Sequence, residues 1–411
     1  MALRNVSIAL LVMASLAPLS AQDWPQWRGP ARDGAVPAAS VPQQWPASFA
    51  PAWKVEVGEG YSSPVVAAGR VFVHSRRDPN EIVTAIDLAS GKVAWQQEYA
   101  AAQEKNKYAA KMGKGPNATP LVTGGRVFTI GSTGILNAWD AASGKRIWQK
   151  DFSKTVDFSK LFCGTSASPL LSAGSIVVQV GSDVRGGSVM ALDPATGATR
   201  WEWKGDGPGY ASPVAITVGT STQIVTMTNR SILGLDAQKG TPLWTAPFPD
   251  EWHENIVTPV WTGSHLIVSG IRQGTQAWRL DQSGGAWRAV QAWHNPQASM
   301  YMSTPVVADG VVYGLSDKRR GYFVALDLAT GAVKWQTEGR EATNASVLLT
   351  PTHVVYLTDL ADLVVVKRDT GRFTLEKRYA LGTGATWTTP VLLGRDVIVK
   401  DATSVARLAG R

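Results

Sequence analysis

The chain alternates short apolar runs with glycine turns, and the alternation repeats. Ser/Thr-Pro followed by an apolar residue occurs at Ser63-Pro64-Val65, Thr119-Pro120-Leu121, Ser168-Pro169-Leu170, Ser212-Pro213-Val214, Thr258-Pro259-Val260, Thr304-Pro305-Val306 and Thr389-Pro390-Val391. A degenerate copy, Ala345-Ser346-Val347, fills the one long gap. The copies lie about 47 residues apart on average, a period that points to propeller blades. After each proline come an apolar stretch, a glycine turn and a β-branched strand such as Arg70-Val71-Phe72-Val73 or Gly310-Val311-Val312-Tyr313. Proline is tolerated at the start of a strand, where its missing N–H costs little. Four short strands with their turns fit the period, so the pattern predicts an all-β, eight-bladed propeller of four-stranded antiparallel blades.

Each unit ends in Asp-x-x-x-Gly-x-x-x-Trp: Asp87 to Trp95, Asp140 to Trp148, Asp193 to Trp201, Asp236 to Trp244 and Asp327 to Trp335. Aspartate opens a tight turn by accepting backbone N–H groups, and glycine takes the positive-φ position. The strand that follows sets the tryptophan at a fixed height, where it can wedge between blades. Burying one indole is worth at most about 4–6 kcal/mol. In the fifth unit Asp281 and Gly285 fit the pattern but Ala289 replaces tryptophan; in the seventh, Lys367 and Leu375 replace aspartate and tryptophan. The eighth unit lacks its last strand, and Trp53-Lys54-Val55-Glu56-Val57 has the shape of the missing piece. Pairing of residues 53–57 with the last blade would close the ring and remove exposed strand edges. An open solenoid would need capping repeats, and none is evident.

Composition narrows the class. The 411 residues include 17 Trp, 40 Gly, five His and one Cys, with 44% hydrophobic residues, which excludes a disordered chain, a disulfide scaffold and zinc modules. The net charge of +8 comes from scattered Lys and Arg without the basic–aromatic interleaving of a nucleic-acid module, so nucleic acid is not an expected partner. Arg4 followed by uncharged Val6–Leu19 reads as a signal peptide over residues 1–21, cut before Gln22. That run is shorter than the ~20 residues of a membrane span. No cysteine near the cut permits lipoprotein anchoring, and the single Cys163 suits an oxidising compartment. The expected product is a monomeric periplasmic or secreted protein, with a leader over 22–52 and the propeller over 53–411.

The run Ala191-Leu192-Asp193-Pro194-Ala195-Thr196-Gly197 through Trp201 resembles pyrroloquinoline-quinone-type propeller repeats. The leader Asp23-Trp24-Pro25-Gln26-Trp27-Arg28-Gly29-Pro30, with Arg32-Asp33-Gly34, resembles the N-terminal segment of exported bacterial propellers of that family. The family includes quinoprotein alcohol dehydrogenases and the outer-membrane assembly propeller subunit. The first would imply a calcium-held quinone, a carboxylate base and commonly a vicinal disulfide; one cysteine cannot supply the disulfide. No Asp or Glu here matches that family's calcium ligands or base, so no catalytic or metal residue is assigned.

Strand parity places the long connectors between blades, and the hairpin 74–81, on one face. Loops on one face of a rigid scaffold are the usual place for binding. Tyr61, Asn117, Ser166, Tyr210, Asn255, Tyr301, Asn344 and Trp387 precede the prolines and are expected to ring the channel mouth. The alanine-rich connector 99–115, with Lys105, Lys107, Lys111 and Lys114, favours a short helix that could draw anions, a tricarboxylate quinone included. Glu251-Trp252-His253-Glu254-Asn255 offers calcium-type oxygen donors, with a satisfied surface turn as the simpler reading. Cys163 reads as a packing residue, and Arg28, Arg32 and Asp33 as pins of the leader. The candidate ligand-binding set is therefore the mouth ring with Lys114 and His253. The function expected first is a non-catalytic propeller that binds a protein, an envelope component or a small ligand; the second is a quinone-dependent oxidoreductase.

Overall fold

The computed structural model describes residues 23–103, 109, 113–154, 156, 161–182 and 185–411. The segment read as a signal peptide, and Lys105, Lys107 and Lys111 with their expected helix, lie outside the described residues.

The two middle strands of a blade are apolar on both sides because a neighbouring blade covers each side. In Arg70–Arg77 and Asn80–Asp87 every residue but those at the ends is buried. The outer strand Val93–Ala100 has only one side covered and buries just Trp95 and Tyr99. Eight such four-stranded sheets form the molecule, antiparallel throughout. Blade 1 spans residues 65–100, blade 2 121–151, blade 3 170–205, blade 4 214–247, blade 5 260–295, blade 6 306–336 and blade 7 345–380. Blade 8 takes its three inner strands from 391–410 and its outer strand from Phe49–Glu56. That closing strand pairs from Phe49 with Gly410 to Glu56 with Ser404, and bulges between Pro51 and Trp53. It starts four residues earlier than the pattern 53–57 suggested. Val57 lies just past it, its N–H bonded to the Thr403 carbonyl at 2.9 Å.

The apolar core lies between blades. One cluster joins Phe72, Val83 and Trp95 of blade 1 to Val127 and Trp139 of blade 2. Another joins blades 7 and 8 to blade 1 and takes in Trp24 and Val36 of the leader.

The aspartate turns carry the indoles. Asp87 Oδ1 accepts the Ser90 N–H and O–H at 2.8 and 2.6 Å, and Asp140, Asp193, Asp236 and Asp327 form equivalent turns. These hydrogen bonds hold the carboxyls of Asp87, Asp140 and Asp327 below the usual range; at Asp193 the Arg200 contact leads and the value falls to about 2. Four of the five motif tryptophans reach the turn of the next blade. Trp95 Nε1 donates to Ala141 O, Trp148 to Pro194 O, Trp201 to Ala237 O and Trp335 to Asp369 O, at 3.0–3.2 Å. The indole lies on the turn glycine: a Cβ on Gly144 would meet Trp95 Cδ2 at 2.7 Å.

Three units depart from the sequence pattern. In blade 5 the third and fourth strands are ten residues long, so Asp281 sits inside Gly274–Ser283 rather than at a turn, and Trp293, not position 289, supplies the docking indole, donating to Leu328 O at 2.7 Å. Trp244 therefore meets no turn glycine in blade 5. It donates to Gln223 Oε1 within its own blade at 2.7 Å and packs with Leu266, Val268 and Trp278. In blade 7 Asp369 rebuilds the turn, Oδ1 accepting the Gly371 N–H at 2.9 Å.

Candidate functional site

The hydroxyl before each proline has a structural task. Its backbone N–H donates to the hydroxyl of the next blade: Thr389 to Ser63, Ser63 to Thr119, Thr119 to Ser168, Ser168 to Ser212, Ser212 to Thr258 and Thr258 to Thr304, at 2.8–3.2 Å. The chain of bonds crosses the seam between blades 8 and 1. It changes pattern at the degenerate unit, where Ala345 N–H donates to Ser303 Oγ and Ser346 Oγ to Thr389 Oγ1.

Above this hydroxyl ring lies a cavity of about 170 Å³ to which all eight blades or their connectors contribute. Tyr61, Asn117, Ser166, Tyr210, Tyr301, Asn344 and Trp387 line it. Asn255 does not. Its amide is fully buried and donates to Thr228 O and Phe248 O at 2.8 and 2.9 Å. Ile256, three residues before Pro259, lines the cavity instead, as do Met302, Phe162, Cys163 and Glu254. The spacing was legible: Tyr61, Asn117, Ser166, Tyr210 and Trp387 each stand three residues before a proline. Asn255 stands four before.

The other two proposed ligands lie off the cavity lining. Lys114 is engaged by the Asp78 carboxylate, whose value it lowers. His253 adopts a positive φ of 59° in the connector between blades 4 and 5.

The leader crosses the channel beneath the cavity. Trp24 bridges Val66 of blade 1, Pro25 O accepts the Val122 N–H of blade 2, and Ala35 bridges Leu349 of blade 7. Arg28, wholly buried, donates to Thr304 O and Pro305 O at 2.9 and 2.7 Å; Arg32 donates to Pro169 O and Ser168 O at 2.5 and 3.1 Å. The pinning thus runs through backbone carbonyls just before the inner strands, and Asp33 contributes its own carbonyl to Arg28. Burial pulls the two guanidinium values down, to about 10 and about 9. Trp27 is the leader's contribution to the cavity wall.

Glu254 is the single carboxylate in the described lining. The Tyr301 hydroxyl donates to its Oε2, and the Asp250 carboxylate accepts the Glu254 N–H at 2.7 Å. Burial raises the carboxyl above its ordinary value and is the leading cause. Burial first, then Glu254, raises the Tyr301 phenol well above its own. Tyr61 stacks on Trp387 with ring centroids 5.4 Å apart.

Those residues do not fit a calcium-held quinone. Glu251 turns to Arg272 while Glu254 turns to Tyr301, so the acidic connector gathers no donor set, and no group of three His, Cys, Asp or Glu among the described residues could hold a metal. No described Lys or Arg lines the cavity to meet a tricarboxylate. The cavity is also smaller than the ~300–1,000 Å³ usual for drug-sized ligands.

The fold and this plugged channel define an eight-bladed propeller with a mouth cavity over the leader. The chain belongs to the family described as outer membrane protein assembly factor BamB, whose model matches residues 46–105 and 79–337. It is 28% identical over 294 residues to the outer membrane protein assembly factor BamB of Yersinia pestis, covering 69% of this chain and 71% of that protein. In structure it is similar to BamB from Moraxella catarrhalis, with a TM-score of 0.63 at 18% identity, covering 88% of this chain and 99% of that one. It is also similar to the quinohemoprotein alcohol dehydrogenase of Comamonas testosteroni, with a TM-score of 0.69 at 15% identity, covering 94% and 80%. At such identities the two structures speak for the fold alone. No helix among the described residues is long and apolar enough to cross a membrane.

Proposed function

We propose that this protein is an exported, periplasmic propeller scaffold that works without a quinone and docks a component of the outer membrane protein assembly machinery on its mouth face. The observation that carries the reading is the one-sided channel: the leader crosses it beneath the cavity, and the mouth gathers aromatic and amide side chains from all around the ring. Family membership supports the choice of partner. Trp252, in the connector between blades 4 and 5, is 54% exposed with the Arg272 guanidinium 3.7 Å above its ring, and Leu360, in a hairpin of blade 7, is 67% exposed. Tryptophan and arginine are the residues most often found as interface anchors. The oxidoreductase reading draws on the shared fold, but the described residues of the mouth offer neither a donor set for calcium nor a cation for the quinone's carboxylates.

A photo-reactive residue placed at position 252 or 360 should cross-link the protein in its native envelope to a component of that machinery, while one at Val333, on the outer strand of blade 6, should not. Cross-links that ignore position would overturn the docking face. Saturable binding of pyrroloquinoline quinone in the presence of calcium, with dye reduction by alcohols, would overturn the scaffold reading in favour of the dehydrogenase.

A further inference from the structure

We propose that the mouth cavity is a receptor for one small organic cation, an alkylammonium head group. The inference deepens the scaffold reading by giving its mouth a ligand chemistry, and it rests on that reading. Size sets the first limit: about 170 Å³ is small beside the ~300–1,000 Å³ of drug-sized ligand pockets and suits a compact head group. The walls set the second. Trp27, Tyr61, Phe162, Tyr210, Tyr301 and Trp387 all line this small space. Aromatic faces carry negative quadrupole charge, and rings gathered around one point are how proteins hold ammonium groups.

Charge sets the third limit. Glu254 is buried, and no described residue donates to its Oε1, whereas Oε2 already takes the Tyr301 hydroxyl. Asp250, hydrogen-bonded to the Glu254 N–H, adds a second negative charge behind it. No described Lys or Arg lines the space. Arg28 and Arg32 do lie against the Trp27 ring, at 5.6 and 6.0 Å from its centroid, but backbone carbonyls engage their guanidinium groups. A carboxylate alone in the described lining, with one oxygen to which no described residue donates and aromatic rings around it, favours a cation and opposes an anion.

The test is calorimetric or ligand-observed NMR titration of the purified protein with choline and with 3,3-dimethylbutanol, its uncharged isostere. Choline should bind at least about tenfold more tightly than the isostere. Glu254→Gln should weaken choline by about tenfold or more and leave the isostere unchanged. Trp387→Ala should weaken choline while still unfolding in one cooperative transition, which keeps the proposal testable should E254Q fold poorly. An N-acetyl-lysine amide that binds as well as choline would assign the site to a partner's lysine; choline alone would assign it to a free small molecule. Equal affinity for choline and its isostere, or undiminished choline binding to E254Q, would overturn the cation site. No binding of any cation at millimolar concentration would do the same, whereas the cross-links at position 252 report separately on the docking face.

Discussion

Blade 1 is held to blade 2 by a buried acid, and removing it should uncouple the two. Glu81 has no exposed surface. Its Oε1 accepts the Ser132 N–H of blade 2 at 2.9 Å and Arg76 Nη2 at 3.0 Å, and its Oε2 accepts the Tyr99 hydroxyl at 2.6 Å. Gly131 lets the carboxylate come this close: a Cβ there would fall 1.8 Å from Oε2. In Glu81→Ala the Ser132 and Tyr99 donors lose their acceptor, at ~1–3 kcal/mol each, and the buried Arg76 loses its buried counter-charge, at ~3–5 kcal/mol. These losses overlap, so the expected destabilisation is about 4 kcal/mol. Arg76 keeps Asp78 and the Ala101 carbonyl, each at 2.9 Å, which bounds the loss from above. The control is Asp78→Asn: its carboxylate is about half exposed, and such pairs are worth under ~1 kcal/mol.

Two readouts separate the local claim from a global one. Urea unfolding gives the stability difference, and hydrogen exchange at the Ser132 amide reports the broken bond directly. Burial pushes the Glu81 carboxyl up, but hydrogen bonds and charge from His74, Tyr99 and Arg76 outweigh it, and the net direction is down. A carboxylate lowered in the folded state stabilises above its unfolded value of 4.5, and the contribution is lost as pH falls through the folded value. The gap between wild type and Glu81→Gln should therefore close below about pH 4.5. Unchanged exchange at Ser132, with E81A and D78N equally mild, would refute the coupling.

Three further outcomes follow from the same packing. Trp53→Ala removes the half-buried indole that lies on Gly91 and donates to Leu88 O at 3.0 Å, so it should cost about 2 kcal/mol and make residues 49–56 the first protease target; a fragmentation pattern unchanged from wild type would argue against closure by this strand. Lys400 is buried against the Gly60, Asp401 and Ala402 carbonyls, and desolvation lowers it from 10.5 to about 8. The unfolded chain then binds more protons between those values, so stability relative to Lys400→Met should rise by on the order of 3 kcal/mol from pH 8 to pH 10.5, and a flat difference would contradict the burial. Arg32→Ala leaves the buried Ser168 and Pro169 carbonyls short of a donor, at ~1–3 kcal/mol, and should speed cleavage within residues 23–36 in a timed proteolysis assay.

The ring was legible because the repeat states its own physics. A glycine four residues after an aspartate and four before a tryptophan admits few readings, and the copies ending at Trp95, Trp148 and Trp201 form one geometry. Where the pattern lapsed, the structure kept the contact and moved the residue. The longer strands of blade 5 carry the docking indole out to Trp293, and Asp369 replaces the turn acid two positions late. Such shifts conserve an indole on a turn rather than a spacing, so counting residues cannot follow them. The Ser/Thr before each proline was visible in all seven full copies. Its hydrogen bond to the neighbouring blade was not, because the partner lies a whole repeat away.

At the mouth, legibility ended where residues from distant segments meet. Position three before each proline projects into the cavity because it stands at a fixed height above the inner strand. The rule finds Tyr61, Asn117, Ser166, Tyr210 and Trp387, and applied strictly it also gives Ile256 and Met302. Asn255, one position off, turns into its own blade and satisfies two buried carbonyls. Glu254 and Tyr301 stand two residues and one residue further from their prolines than the rule specifies, in connectors from different blades, and only the closed ring brings them together. Trp27 arrives from a leader with no place in the repeat at all. The charge and the floor of the site therefore come from the non-repeating parts of the chain. A propeller built from like-built blades acquires a specific mouth only through such departures, which makes Glu254, rather than the repeating ring, the position where relatives with different ligands should differ most.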